Sequence, residues 1–322
     1  MENAIKRHLS QEELKGIVDQ AFGGRKELVS AQELTDGWFN SAYTLTLDDG
    51  MKTVLKVAPV FAGMMGYERG LMRTEVEVLR LLKGAGGIPV PEVYYYRAGD
   101  NGNEWFLMEY VEGIPYNKVK QQLPDGDRWQ IEEELGRLSR KINDIHGEKF
   151  GYYALEERQG DSWPNVFADM VAGLLDDARD RQVTLPASDE DILSLVAERR
   201  ASLEEVTVPS LVHWDLWDGN VFVDGAGVTA LIDCERALWG DPLMEYNFRS
   251  SAGEMAAFRK GYRKANFTEA EKERIELYDL YLALILYIEC SYRGYADPNY
   301  IRWTEESLKQ CWAGVTANRK VE

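Results

Sequence analysis

Residues 211–233, LVHWDLWDGNVFVDGAGVTALID, constrain the fold of this chain more than any other stretch. Three polar side chains, Asp215, Asn220 and Asp233, stand among apolar runs that read as short strands: LVH, NVFV and the β-branched VTALID. Oxygen-bearing groups are thereby placed at strand ends and in a tight loop, where a hard cation or a hydroxyl can meet them. An Asp-Gly turn between strands, with Asp218-Gly219 as the turn pair, accounts for part of the pattern. It leaves the remote Asp233 unexplained.

Upstream, residues 33–59 (ELTDGWFNSAYTLTLDDGMKTVLKVAP) alternate as a β-hairpin does, with Asp49-Gly50 at its turn. Within the second strand, Lys56 is flanked by Val54, Leu55, Val57 and Ala58. A lysine in such surroundings either lies on an edge strand, where its charge prevents aggregation, or is partly buried and needs an acidic partner. Partners are available in LMRTEVEVLRLLK (71–83), which has the apolar stripe of an amphipathic helix and carries Glu75 and Glu77. Helical phase alone does not choose between the two. Ahead of the hairpin, Ser10 and Glu13 form a capping-box pair that starts a helix, and Gly23-Gly24 breaks it.

Composition excludes several functional classes. With 55 Asp+Glu against 37 Lys+Arg, a net charge of −18 disfavours nucleic acid and anionic membrane surfaces. The acidity suits a cationic small molecule, and equally suits solubility alone. The most apolar segment, 277–292, is interrupted by Asp279 and Glu289 and falls short of the ~20 apolar residues a bilayer span needs, so it reads as a buried helix. Cys234, Cys290 and Cys311 are odd in number and lack metal spacing, as expected of a chain in the reducing cytoplasm. No secretory leader is visible at the N-terminus, and no Walker-type GxxxxGK[ST] occurs.

Taken together, these segments resemble the protein-kinase-like superfamily, and within it the aminoglycoside phosphotransferase and choline kinase-like family of small-molecule kinases. His213-Trp214-Asp215 stands where such enzymes carry H-R-D, Asn220 follows five residues after the Asp, and Asp233 stands where D-F-G begins. Gly240-Asp241-Pro242 then follows, as it commonly does in that branch. The resemblance implies that Asp215 orients or deprotonates the acceptor hydroxyl. It implies that Asn220 and Asp233 bind Mg²⁺ and that Lys56, held by Glu75, contacts the phosphates of ATP or GTP. It makes Gly37, Asn40 and Ser41 a reduced phosphate loop, and places the adenine-binding hinge at Glu109, Tyr110 and Val111.

The fold expected is α+β and two-lobed. An N-terminal nucleotide-binding lobe, an antiparallel sheet with one main helix, spans 1–112; a larger, mainly helical lobe spans 113–322. Helices are expected at 127–147, 162–180 and 188–206 and across the tail from Glu254 to Trp312. Cys234 and Glu235 replace the Phe-Gly of protein kinases, and no long activation loop follows, so the acceptor is expected to be a small molecule. Asp161 and Trp163, from their position, and Glu235, Glu289, Tyr292 and Asp297, from the resemblance, are the acceptor-side candidates. Asp241 is expected to bond the backbone N–H groups of the catalytic loop. The acceptor is expected to be an aminoglycoside or other cationic amino sugar; choline, fructosamine, homoserine or methylthioribose kinases are alternatives, as is a catalytically silent nucleotide-binding protein. Trp214 departs from the Gly or Arg usual after that histidine.

Overall fold

The computed structural model describes residues 7–35, 39–59, 64–99, 103–246, 248 and 255–317. Gly37, expected in the phosphate loop, lies outside the described residues.

The chain opens with helix α1, Gln11–Phe22, whose capping box is formed: the Ser10 hydroxyl accepts from Glu13 N (3.2 Å) and the Glu13 carboxylate accepts from Ser10 N (2.8 Å). Gly23 ends it in a left-handed conformation that a Cβ would strain. Five strands follow: β1 Leu28–Leu34, β2 Ser41–Leu47, β3 Lys52–Val57, β4 Val93–Arg97 and β5 Trp105–Glu109. They form one antiparallel sheet in the order β1-β2-β3-β5-β4, with Asp49-Gly50 at the β2–β3 turn. Strand β1 starts five residues earlier than the alternation at Glu33 suggests.

Strand β3 is buried on both faces, which obscures strict alternation. On one face, Leu14 and Val18 of α1 pack with Leu45, Leu55, Val57 and Leu107. On the other, helix α2, Leu71–Ala85, contributes Val76, Leu79 and Leu82 to a core shared with Val54, Phe106 and Met108. Lys56 faces α2, so a charged side chain lies inside a two-sided core.

Beyond β5 the chain enters a mainly helical region. Strand β6, Ile114–Pro115, pairs with β9, Val221–Asp224, which pairs with β10, Gly227–Leu231. A third sheet joins β7 (Gly151–Tyr152), β11 (Leu238–Gly240) and β8 (Ser210–Val212) in the order β7-β11-β8. The helices are α3 (Tyr116–Val119), α4 (Asp125–Asn143), α5 (Trp163–Asp180), α6 (Asp189–Glu198), α7 (Arg200–Leu203), α8 (Met255–Tyr262), α9 (Glu269–Arg293) and α10 (Pro298–Ala317). The helix expected over 188–206 is two pieces, broken at Arg199. Helices α4 and α8 cross at two glycines: a Cβ at Gly136 would lie 2.1 Å from the Phe258 carbonyl oxygen, and one at Gly261 1.8 Å from that of Glu133. Helix α9 is buried on most of its circumference, which explains its unbroken apolar run, and no described helix is long and apolar enough to cross a membrane. One hydrophobic core runs from the inner face of the large sheet through α2 into α4, α5 and α9.

Candidate active site

The site is assembled where β3, α2 and the segment after β10 meet. Lys56 Nζ lies 2.6 Å from Glu75 Oε1 and 2.7 Å from Asp233 Oδ1. Helix phase left Glu75 and Glu77 open; the geometry pairs Lys56 with Glu75, which is fully buried. Burial opposes the Lys56 charge, but Asp233 and Glu75 outweigh it and hold the ammonium well above its ordinary pKa. Burial raises Glu75, while the Lys56 charge keeps Asp233 below the usual carboxylate range. A cation thus sits between two carboxylates, one sealed in the core and one a third exposed.

The catalytic loop is held from several sides. Asn220 Nδ2 donates to the Asp215 carbonyl at 2.8 Å and to its carboxylate at 3.2 Å, fixing the five-residue spacing as a closed turn. His213 is buried, and burial pushes its pKa down to about 4, so it is neutral; its Nε2 lies 3.1 Å from the Ile232 carbonyl and donates to it, tying this loop to the residue before Asp233. Trp214 and Asp233 have φ of 59° and 66°, left-handed values that cost a non-glycine residue roughly 1–2 kcal/mol each. At Trp214 that conformation is held by a buried ring against Phe248 and Tyr281, and by Glu245 Oε2, which accepts from His213 N at 2.9 Å.

This is a correction to the role expected of Asp241. Its carboxylate accepts from Leu243 N (3.0 Å), Arg274 Nε (2.8 Å) and Tyr278 Oη (2.9 Å). Glu245, four residues on, serves the catalytic loop. Sequence reasoning also missed Lys120, which reaches Glu132 (3.1 Å) and Asp218 (3.0 Å) and so anchors the short 3₁₀ turn Asp218–Asn220. Asp218 is therefore more than a turn-former. The one available signal for Glu245 was its helical spacing from Asp241; Lys120, in NKVKQQ, gave none.

Asp215 is partly buried, and burial pushes its carboxyl up to about 7; Arg236 pulls it back, and the neighbouring Asp233 and Glu289 charges add to the rise. Glu235 is buried, and burial together with the Asp233 charge raises it as well. Its Oε2 accepts from Asn40 Nδ2 at 2.7 Å, so Asn40 reaches the site by bonding Glu235. Ser41 is fully buried at the start of β2, opposite Val57, which places it in the sheet.

Of the hinge candidates, Glu109 N donates to the Glu92 carbonyl at 2.8 Å and its carboxylate accepts from Glu92 N, so Glu109 is committed to the β4 side. That commits its N–H to the sheet and leaves the expectation of an adenine donor with Tyr110 and Val111, past the end of β5. The acceptor-side candidates divide. Glu289 is buried between Arg236 (3.0 Å) and Arg293 (3.1 Å), and Glu235 lies beside Asp233. Trp163 is fully buried and donates its Nε1–H to Tyr278 Oη at 2.8 Å: the flat surface expected of it is part of the core, because the helix start turns it inward. Asp161 is exposed ahead of α5. Tyr292 Oη donates to the Asp177 carbonyl at 3.2 Å with Arg181 over its ring, and Asp297 Oδ1 accepts from Asn299 N at the start of α10. Tyr292 is thereby tied to α5, and Asp297 to the start of α10.

The residues suit a hard divalent cation. Asp233 spends one carboxylate oxygen on Lys56, and Asn220 spends its amide N–H₂ on Asp215; one carboxylate oxygen and one amide oxygen are left. Ligand oxygens of Glu75, Asp233 and Glu235 also lie within 4.8 Å of one another. There the Lys56 ammonium already supplies the positive charge, so the Asn220–Asp233 pair fits an ion better.

The profile of the Phosphotransferase enzyme family matches residues 30–278. A probable ketoamine kinase of Staphylococcus aureus is 25% identical over 295 residues, covering 86% of this chain and 88% of that protein. Among solved structures, a protein assigned as a fructosamine-3-kinase from Haemophilus somnus superposes with a TM-score of 0.67 at 18% identity, covering 92% of this chain and 96% of that one. The aminoglycoside phosphotransferase APH(4)-Ia, in ternary complex with AMP-PNP and hygromycin B, gives 0.65 at 18% identity, with 96% and 100% covered. Both share the two-lobed kinase-like fold. With its family profile spanning most of the chain and the Lys56, Asp215, Asn220 and Asp233 constellation inside the matched region, the chain belongs to the Phosphotransferase enzyme family and is a kinase of that family.

Proposed function

We propose that this enzyme transfers the γ-phosphoryl group of ATP to a hydroxyl of a sugar–amine conjugate, a ketoamine. The observation that carries the transfer chemistry is the convergence of Lys56, Glu75 and Asp233 within 2.7 Å contacts, beside a loop in which Asn220 holds Asp215. In this reading Lys56 orients the phosphates, and Glu75 keeps its ammonium in place. Asp215 aligns the acceptor hydroxyl and takes its proton as the oxygen attacks the γ-phosphorus, with ADP leaving. Asn220 and Asp233 would hold Mg²⁺, which when bound neutralises charge on the phosphates. Most of the acceleration then comes from positioning and charge, so the buried ion pairs around the site serve catalysis by keeping its parts fixed.

For the acceptor, support comes from the probable ketoamine kinases, which align with most of the chain. This reorders the expectation from sequence, which put aminoglycosides first. A second reading, an aminoglycoside acceptor, draws on the fold neighbours that hold hygromycin B or kanamycin. The test is ATP consumption with Mg²⁺ across fructosyl-lysine, kanamycin, hygromycin B and choline. Turnover of fructosyl-lysine is expected; turnover confined to the antibiotics would reverse the acceptor assignment. Asp215→Ala is expected to lose at least ~10²-fold in turnover while binding AMP-PNP as before.

A further inference from the structure

A second set of buried charges lies beside the site. Arg293, at the C-terminal end of α9, is 5% exposed; it donates to Glu68 Oε1 at 2.7 Å and pairs as an ion with Glu289 Oε2 at 3.1 Å. Glu68 belongs to the segment leading into α2, and its other oxygen accepts from Met65 N at 2.8 Å. The Arg293 guanidinium also stands 4.8 Å over the ring of Phe39, immediately before β2. Phe39 in turn packs on Leu71, the first residue of α2. Glu289 is shared with Arg236 at 3.0 Å. Next to Arg236, Glu235 holds Asn40, the neighbour of Phe39, at 2.7 Å.

These contacts close a ring: Phe39 and Asn40 ahead of β2, Glu235 and Arg236 after Asp233, Glu289 and Arg293 on α9, and back to Phe39. Every charged member is at most 7% exposed. A ring of buried pairs is a poor source of net stability, since desolvation offsets much of the attraction. What such an arrangement does provide is geometry: moving one member exposes or unpairs another.

We infer that Arg293 is a positioning residue that couples the nucleotide side to the acceptor-side helix α9, so that fixing of Phe39 and Asn40 by nucleotide also orders the end of α9. The inference rests on the nucleotide reading above. Its geometric basis is that one guanidinium touches both the segment entering α2 and the residue entering β2 while extending from the helix that carries Glu289. Coupling of this kind is reciprocal: whatever acceptor fixes the end of α9 tightens nucleotide binding by the same factor.

The test is amide hydrogen exchange of the intact protein with and without Mg²⁺–AMP-PNP. In the unmodified protein, nucleotide is expected to slow exchange at residues 109–112 and, by about fivefold or more, at residues 286–294. Arg293→Met alone would strand the buried Glu68 carboxylate, so the paired variant Arg293→Met/Glu68→Gln is used beside the milder Phe39→Leu. Both are expected to keep the slowing at 109–112 and to lose it at 286–294. A purely structural role would instead raise exchange at 286–294 equally in both conditions. That result, or no nucleotide effect on 286–294 in the unmodified protein, would overturn the coupling. Absence of protection at 109–112 as well would overturn the nucleotide reading and the coupling with it.

Discussion

Acidification is the perturbation that tests the role of Asp215 most directly. Burial, with the Asp233 and Glu289 charges adding to it and Arg236 opposing it, places this carboxyl at about 7 in the free protein. A group that must be ionised to align a hydroxyl and take its proton then limits kcat/KM on the acid side. One pH unit below its pKa about a tenth of the molecules carry the carboxylate, so kcat/KM for ATP is expected to fall roughly tenfold by pH 6 and a hundredfold by pH 5. His213 cannot produce this limb, because burial has already lowered it to about 4. Glu75 and Glu235 are raised too, so the assay is run on Asp215→Asn as well as on the unmodified enzyme. If the limb belongs to Asp215, the residual activity of that variant is flat over the same range. A kcat/KM that stays level down to pH 5, or a limb that survives in Asp215→Asn, would refute the assignment.

Three further outcomes follow from the packing and charge. Asp241→Ala removes the carboxylate from Arg274 Nε and Tyr278 Oη in the core while Arg274 keeps Glu205 and the Ser202 carbonyl, and is expected to cost ~1–3 kcal/mol in urea denaturation through the bonds left unmade. Gly261→Ala puts a methyl where the Glu133 carbonyl oxygen stands 1.8 Å away, and is expected to lower stability by ~1–3 kcal/mol through separation of α4 and α8, read as a drop in Tm; an unchanged Tm would mean the crossing is loose. In the absence of ligands Tm is expected to fall as pH rises from about 5 to 8. Asp215, Glu75 and Glu235 fold with raised pKa values, so their contribution is complete below the unfolded values and is lost as pH climbs through the folded ones. Asp233, depressed, contributes on the alkaline side of its unfolded value and is constant across that window, while His213, lowered to about 4, adds stability as pH rises to about 6.5 and offsets part of the fall. A Tm that rose over this interval would contradict the burial of these carboxyls.

Much of the first half was legible because it follows from local rules. The Ser10–Glu13 cap, the Asp49-Gly50 turn and the α2 stripe each depend on residues within one turn of each other. Lys56 was legible for a different reason: an ammonium amid Val54, Leu55 and Val57 has to be compensated, and a compensating carboxylate has to come from a neighbouring element. The break at Arg199 and the earlier start of β1 were not legible, since both depend on what packs against the segment. Trp163 failed for the same reason. An aromatic at a helix start reads equally as surface or core, and its bond to Tyr278 crosses 115 positions.

The acceptor side was the least legible part, and its construction explains why. Its two buried carboxylates, Glu235 and Glu289, do not stand free, where charge alone would announce a cationic ligand. Glu289 is shared by Arg236 and Arg293, and Glu235 is bonded to Asn40, so these two candidates are already answered by residues distant in sequence. The net charge of −18 is therefore a poor guide to the acceptor. Around this ring Arg236 and Arg293 meet Glu289 and Glu68, and Glu235, which burial raises to about 8, adds little negative charge near neutral pH, so the local balance is near neutral. On the proposed ketoamine reading, an acceptor bound next to such a ring would be selected by hydrogen bonds and shape more than by total charge.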